Sequence, residues 1–317
     1  MRRAALWLIV LLAGALSARA ETRIERTLKI DAGGRLEVQT GMGAITVTGT
    51  SRPDVLVVVT SKGRALEELL TLRFDEGGKT ARITGHNKAG FLSNLFGWWD
   101  NSQVHFQIEV PSSTILSLDT SGGGIAVQSL HAGVTLRTSG GPLDLRDLAG
   151  DVEGHTSGGG VRLKSIKGRV HVTTSGGSID GSDLDGAVDG STSGGGVTMQ
   201  RVTGDLRVHS SGGGIQIDDA GGLVDASTSG GGIKATFARG NSRGGRLESS
   251  GGSIEVFLDS KADLEIDAAA DGIRTSDLPL QTRGDTSRGR LQGTLGKGGQ
   301  TLRIHTSGGD IRIAAIS

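Results

Sequence analysis

The chain has no cysteine, no tyrosine, only four prolines and nine other aromatic residues in 317. Without cysteine it can form no disulfide and carry no lipid on an N-terminal cysteine. Packing and backbone hydrogen bonds alone must therefore hold the fold. Excess charge is missing too, since 34 basic residues balance 34 acidic ones. No basic stripe exists to neutralise phosphates, which excludes nucleic acid as a partner. Beyond the first twenty residues, no stretch approaches the roughly 20 apolar residues that a membrane helix needs, so no transmembrane segment is expected.

Residues 1–20 have the form of a secretory signal peptide. Arg2 and Arg3 precede an apolar run from Ala4 to Leu16, and Ala18-Arg19-Ala20 gives a small-x-small cleavage site before Glu21. Removal takes three basic side chains and no acidic one, leaving a net charge near −3. The mature chain is expected to be exported, to the periplasm or the cell surface of a bacterium.

What is abundant is glycine, 55 residues, in a spacing that no flexible linker requires. TSGGGI, at Thr120 to Ile125, recurs through the chain, its serines at 121, 139, 157, 175, 193, 211, 229, 250 and 307. Six successive steps are of 18 residues, then come steps of 21 and 57. A fixed period defines a repeat architecture. Four residues after each of the first seven serines stand Ile125, Leu143, Val161, Ile179, Val197, Ile215 and Ile233. Two residues further on come Val127, Leu145, Leu163, Gly181, Met199, Ile217 and Ala235, with mixed chemistry between the two columns. That period of two argues a strand with one buried face. A second strand, opened by Val134 and its equivalents, ends in a hydroxyl column of Thr138, Thr156, Thr174, Thr192, Ser210 and Thr228. These hydroxyls are expected to bond one another between copies, and Gly-Gly to supply backbone angles that turn each corner.

The expected fold is all-β, a parallel β-solenoid (β-helix) of 18-residue coils. Its narrow inside is filled by valine, isoleucine, leucine and threonine, with Gly154, Gly181 and Gly190 making room for larger neighbours. Residues 21–119 are expected to form an N-terminal β-rich capping region with one short helix, RALEELL at 64–70, and a hairpin around Asp75 to Gly78. Residues 120–317 carry the repeats, with longer rungs after Gly252. The final rung, around Ser307, looks unprotected and offers an edge for end-to-end self-association.

Taken together, RALEELL, the strand VHFQIEVP, the TSGG-x-I rungs and the close GTLGKGGQTLRIHTSGGDIRI resemble the bacterial β-strand-repeat family labelled "putative adhesin", a domain of unknown function. The resemblance covers nearly the whole mature chain. It implies an exported, solenoid-like protein and brings no catalytic residues. Family rungs often carry an acid after Ser-Gly, whereas here the last rung alone reads Gly-Gly-Asp.

Catalytic chemistry finds no foothold in the sequence. The conspicuous serines are repeat positions, and nine equivalent nucleophiles make no chemical sense. His155, His209 and His305 share a column filled elsewhere by Asp119, Arg137, Thr173 and Ser191, and no Gly-x-Ser-x-Gly elbow occurs. The glycine runs enter strands rather than helices, which rules out a phosphate loop. No aspartate column and no ligand spacing of histidines argues for a metal or a cofactor. One stretch escapes the repeat, GFLSNLFGWWDN at 90–101, which holds four of the eight mature aromatics. Phe91, Phe96, Trp98 and Trp99 are therefore candidate contact residues for an envelope protein, a glycan or a membrane surface, and packing on the cap is the alternative. The expected function is non-enzymatic, adhesin-like binding at the cell envelope. A structural or stress-sensing scaffold is the second expectation, and a polysaccharide-active enzyme the third.

Overall fold

The computed structural model describes residues 22–88, 103–283 and 289–316. They form 29 strands and one helical turn, arranged as two sheets of 14 and 15 strands. Every second repeat strand belongs to the same sheet. Sheet A takes Ile125–Leu130, Leu143–Ala149, Val161–Lys167 and their successors, and sheet B takes Val134–Thr138, Val152–Thr156, Val170–Thr174 and theirs. Through the regular repeats the ladders are parallel, with partners 18 residues apart, as in Val134↔Val152 and Leu143↔Val161. The result is a solenoid-like β-fold with one core layer between two faces.

The inward columns read from the sequence are the core. Ile125, Val127, Leu143, Leu145, Val161 and Leu163 are each at most 1% exposed. The small residues among them make room as expected. A Cβ at Gly181 would lie 2.6 Å from the Met199 sulfur, and one at Gly154 would crowd Leu143 and Val172.

The hydroxyl column is buried, but its bonds differ from the expectation. Thr156 Oγ1 donates to the Gly141 carbonyl of the preceding corner (2.8 Å) and accepts the N–H of Gly159 in its own corner (3.2 Å). Thr138, Thr174, Thr192, Ser210, Thr228 and Ser249 repeat the pattern with their own glycines. The corner's backbone groups lie within hydrogen-bond reach of each hydroxyl and take the place of the next hydroxyl. They also need a partner, because buried peptide groups are costly when unpaired.

The corner glycines likewise serve a different end from the one expected. No glycine of the described Ser-Gly-Gly corners takes a left-handed φ, and among their equivalents only Gly43, in the Gly41-Met42-Gly43 corner, does so, at +101°. The second glycine is needed for space. A Cβ at Gly159 would overlap the carbonyl of Gly141, and one at Gly177 that of Gly159. Left-handed backbone occurs on the other side of each coil, at Ser129, Asp147, Ser165, Asp183, Arg201 and Asp219, with φ from 53° to 64°. Ladder pairing skips these residues, from Arg146↔Lys164 to Leu148↔Ile166. This local kink turns Leu130, Leu148 and Ile166 inward, where strict alternation would leave them in water.

Antiparallel pairing occurs only toward the two ends of the stack. Thr22–Leu28, Val55–Lys62 and Gln103–Pro111 pair antiparallel at one end of sheet A, and Leu70–Gly77 with Thr80–Asn87 at the same end of sheet B. The helix is the single turn Leu66–Leu69, because Leu70 is already extended (φ −132°, ψ 145°) and opens the next strand. At the far end, Leu264–Ala269, Arg290–Leu295 and Gln281–Arg283 pair antiparallel. The final rung in sequence corrects another expectation. Gln300–Thr306 and Asp310–Ala315 are each paired on both sides, so that rung is interior and offers no free edge. The 57-residue step arises because residues 264–276 are laid one rung further out.

Two substitutions test the corner. Thr156→Val keeps the shape but leaves the Gly141 carbonyl and the Gly159 N–H without their partner. It is expected to cost about 1–3 kcal/mol in urea unfolding, with Thr156→Ser costing less. Gly159→Ala is expected to cost about 3 kcal/mol through overlap with the rung below, whereas Gly122→Ala, with nothing within 4 Å of the added carbon, stays within about 0.5 kcal/mol.

Candidate functional site

With the core filled, the outer faces are where a ligand can meet the chain. The third corner position bears little or no side chain, at Gly124, Pro142, Gly160, Ser178, Gly196, Gly214, Gly232 and Ser253. On sheet A this leaves a lengthwise trough beside the outward column of the strands. Its larger part, of about 460 Å³, is lined by Gly196, Gly214, Gly232 and Ser253 and by Thr198, Gln216, Lys234 and Glu255. A smaller part of about 150 Å³ lies lower on the same line, at Pro142, Gly160, Ser178, Arg162 and Asp180.

The two parts of the trough differ in charge pairing. In the lower part, Asp144 takes a bidentate pair from Arg146 (2.7 and 2.8 Å) and a longer one from Arg162 (3.5 Å). Register places Asp144, Arg162 and Asp180 side by side, as the repeat alignment predicts. Outside the trough, in the left-handed column, Arg201 grips Asp183 at 2.6 and 3.0 Å. The hydrogen bond from the Arg146 guanidinium holds the Asp144 carboxyl below the ordinary carboxylate range, against the opposing effect of burial. Upstack, Thr198, Gln216, Lys234 and Glu255 are successive register partners. Lys234 and Glu255 make no ion pair among the described residues. Lys234 Nζ instead lies 5.7 Å from the centre of the Phe257 ring, which stands half-buried beside the trough.

Sheet B carries the histidine column. His155 Nδ1 lies 2.7 Å from Thr173 Oγ1, and His209 Nδ1 lies 2.9 Å from Ser227 Oγ, each reaching the next rung. His305 lies 3.4 Å from Ser307 Oγ. All three histidines are exposed on an open face. Among the described residues, no three His, Asp or Glu side chains converge as metal ligands, and no helix is long and apolar enough to cross a membrane.

The candidate contact residues Phe91, Phe96, Trp98 and Trp99 lie outside the described residues, as do residues 1–20, expected as a signal peptide. The trough was missed because its outward column carries no consistent chemistry from copy to copy. The available signal was the third corner position, small in nearly every repeat.

A sequence profile described as Toastrack DUF4097 matches residues 34–314. The chain belongs to the Toastrack DUF4097 family. Three solved structures are similar to this Toastrack chain. One, described as a "putative cell adhesion protein" from Clostridium sporogenes, is 10% identical, covers 94% of this chain and 100% of its own, and has a TM-score of 0.29. A "putative lipid binding protein" from Parabacteroides distasonis is 14% identical over 92% and 96% of the two chains, at a TM-score of 0.45. A "putative adhesin" from Bacteroides fragilis is 11% identical over 94% and 99%, at 0.34. No curated protein matches the chain.

The paired lower face has a pH signature. Because the folded Asp144 carboxyl titrates below its unfolded value near 3.9, its contribution is present above that value and is lost as pH falls through the folded pKa. Asp144→Asn is therefore expected to lower stability at pH 7 by under about 1 kcal/mol and to have no effect once the native carboxyl is protonated. Arg146→Ala should move the Asp144 carboxyl resonance back toward the ordinary titration range in an NMR pH series.

Proposed function

We propose that this Toastrack chain is an exported, non-catalytic binding protein of the bacterial cell envelope, and that it holds a linear, uncharged glycan along the trough of sheet A. One observation carries the proposal. In the lower rungs Asp144 is paired with both Arg146 and Arg162, whereas the upper rungs present a polar column whose Lys234 and Glu255 have no ion-pair partner among the described residues. The column supplies one hydrogen-bonding side chain per rung, in a line about 14 Å long over four rungs. Thr198 can donate and accept, Gln216 donates one amide hydrogen to Asp218 (2.9 Å) and can still donate the other and accept, Lys234 donates and Glu255 accepts. The two charges cancel, which favours a polyhydroxylated ligand over an ionic one. Phe257 adds an aromatic flank for the apolar face of a sugar ring. The trough is open to water along its length, which suits retention rather than bond cleavage. In this proposal the coil is the 18-residue unit, and the antiparallel strands at both ends are caps that blunt the stack's edges.

The test is retention on immobilised neutral linear polysaccharides and peptidoglycan fragments, with titration calorimetry for any that bind. Gln216→Ala and Lys234→Ala are each expected to weaken binding at least about tenfold, or ~1.4 kcal/mol, without moving the unfolding midpoint. Retention unaffected by both substitutions, or absent from every glycan, would overturn the proposal. Trp98 and Trp99 are the two tryptophans that remain after loss of residues 1–20. An emission shift on ligand addition, with the trough variants binding normally, would move the contact to the aromatic segment.

A further inference from the structure

The interior position of the last rung has a consequence for assembly. Gln300–Thr306 lies between Gly245–Ser249 and Leu264–Ala269, and Asp310–Ala315 lies between Ile254–Leu258 and Gly272–Ser276. All four ladders are parallel. Both flanking rungs precede the segment in sequence. Residues 259–263 bridge them across two rung spacings, about 10 Å. Asp259 braces this bridge by accepting the N–H groups of Gly240 (2.9 Å) and Lys261 (3.0 Å). The flanks can thus form with a slot between them, and that slot presents strand edges in both sheets until residues 300–316 fill it.

The segment matches the slot in side chains and in backbone. Leu302, Ile304, Thr306, Ile311 and Ile313 point inward and are at most 2% exposed. Thr306 Oγ1 donates to the Gly252 carbonyl at 2.7 Å, the same corner bond that Thr138, Thr156 and their equivalents make to the preceding rung. The preceding strand, Arg290–Leu295, connects to the segment through residues 296–299, where Gly296, Gly298 and Gly299 all have positive φ (57°, 77° and 145°). A glycine-rich link of this kind can adopt a second path at little steric cost.

We propose that the slot is a strand-acceptor site, and that its second occupant is residues 300–316 of another copy of this chain. The contacts made in the slot are the same whichever copy supplies them. The balance between closed and exchanged forms is then set by the link and by effective concentration. Exchange pairs two stacks and presents two outer faces together. The proposal rests on topology alone and is independent of the ligand assigned to the trough.

The chain contains no cysteine, so single substitutions give a clean test. Arg246 and Arg303 are exposed register partners on neighbouring strands, within the Cα separation that a disulfide spans. Full-length Arg246→Cys and Arg303→Cys are mixed in equal amounts, unfolded, refolded together over a range of concentrations, oxidised and peptide-mapped. A 246–303 linkage then requires the segment of one copy to lie in the slot of the other. The expected yield is at least about tenfold above that of Arg246→Cys mixed with Arg312→Cys, whose positions lie on opposite sheets, and it falls on dilution. Glu248→Cys with His305→Cys, a second register pair, repeats the measurement should either arginine variant refold poorly. Yields at the control level for both pairs, from variants with native β-sheet circular dichroism, would overturn the proposal.

Discussion

Everything in this molecule depends on how closely one corner can lie on the corner beneath it. Parallel strands set the rung spacing at about 4.8 Å. At that spacing the second corner glycine sits where a Cβ would occupy the preceding rung's backbone. Backbone stacked this tightly is cut off from water, so its peptide groups need internal partners. The threonine or serine before each Ser-Gly-Gly supplies two of them, one in its own rung and one in the rung below. Tight glycine corners and a buried hydroxyl are therefore one device, and the motif recurs because each new rung must solve the same problem against the last.

This device separates the two roles of the chain. Inward columns and corners are held to a few residue types, since a change there is felt by the rungs above and below. Outward columns face water and are free to vary. The same freedom that lets Asp144 pair with Arg146 and Arg162 lets Thr198, Gln216, Lys234 and Glu255 stand without an ion pair. A binding face on such a scaffold needs no special loop. Side chains brought into line by the 18-residue register suffice, with the small third corner residue leaving a channel beside them.

Much of the fold was legible in the sequence, for reasons that follow from this. Serine spacing and the Ile125, Leu143, Val161 column report the strands of sheet A directly, because burial leaves little choice of residue there. The left-handed column was not legible. Ser129, Asp147, Ser165, Asp183, Arg201 and Asp219 do not look alike, and only the inward position of the residue after each one betrays the kink. The hydroxyl acceptors were hidden as well, since a column of threonines is equally compatible with bonds to its neighbours or to the backbone. The trough was harder still, because the outward column beside it differs from rung to rung. The aromatic segment drew attention by composition, and composition alone does not say what a side chain faces.

The order of the last rungs shows where a one-dimensional reading of a repeat protein stops. A stack built by adding each coil to the one before ends at the last coil in sequence, with a bare edge in both sheets. Here residues 264–276 pass over one position and the chain returns to fill it, so the outermost strands are not those of the final repeat. At this end sheet B finishes in the antiparallel strands Arg290–Leu295 and Gln281–Arg283 and sheet A in the parallel strand Gly272–Ser276, and none of them contains a Ser-Gly-Gly corner. A further rung has no matching corner to sit on there. The end of the stack is therefore set by the loss of the corner motif, the same constraint that sets its spacing.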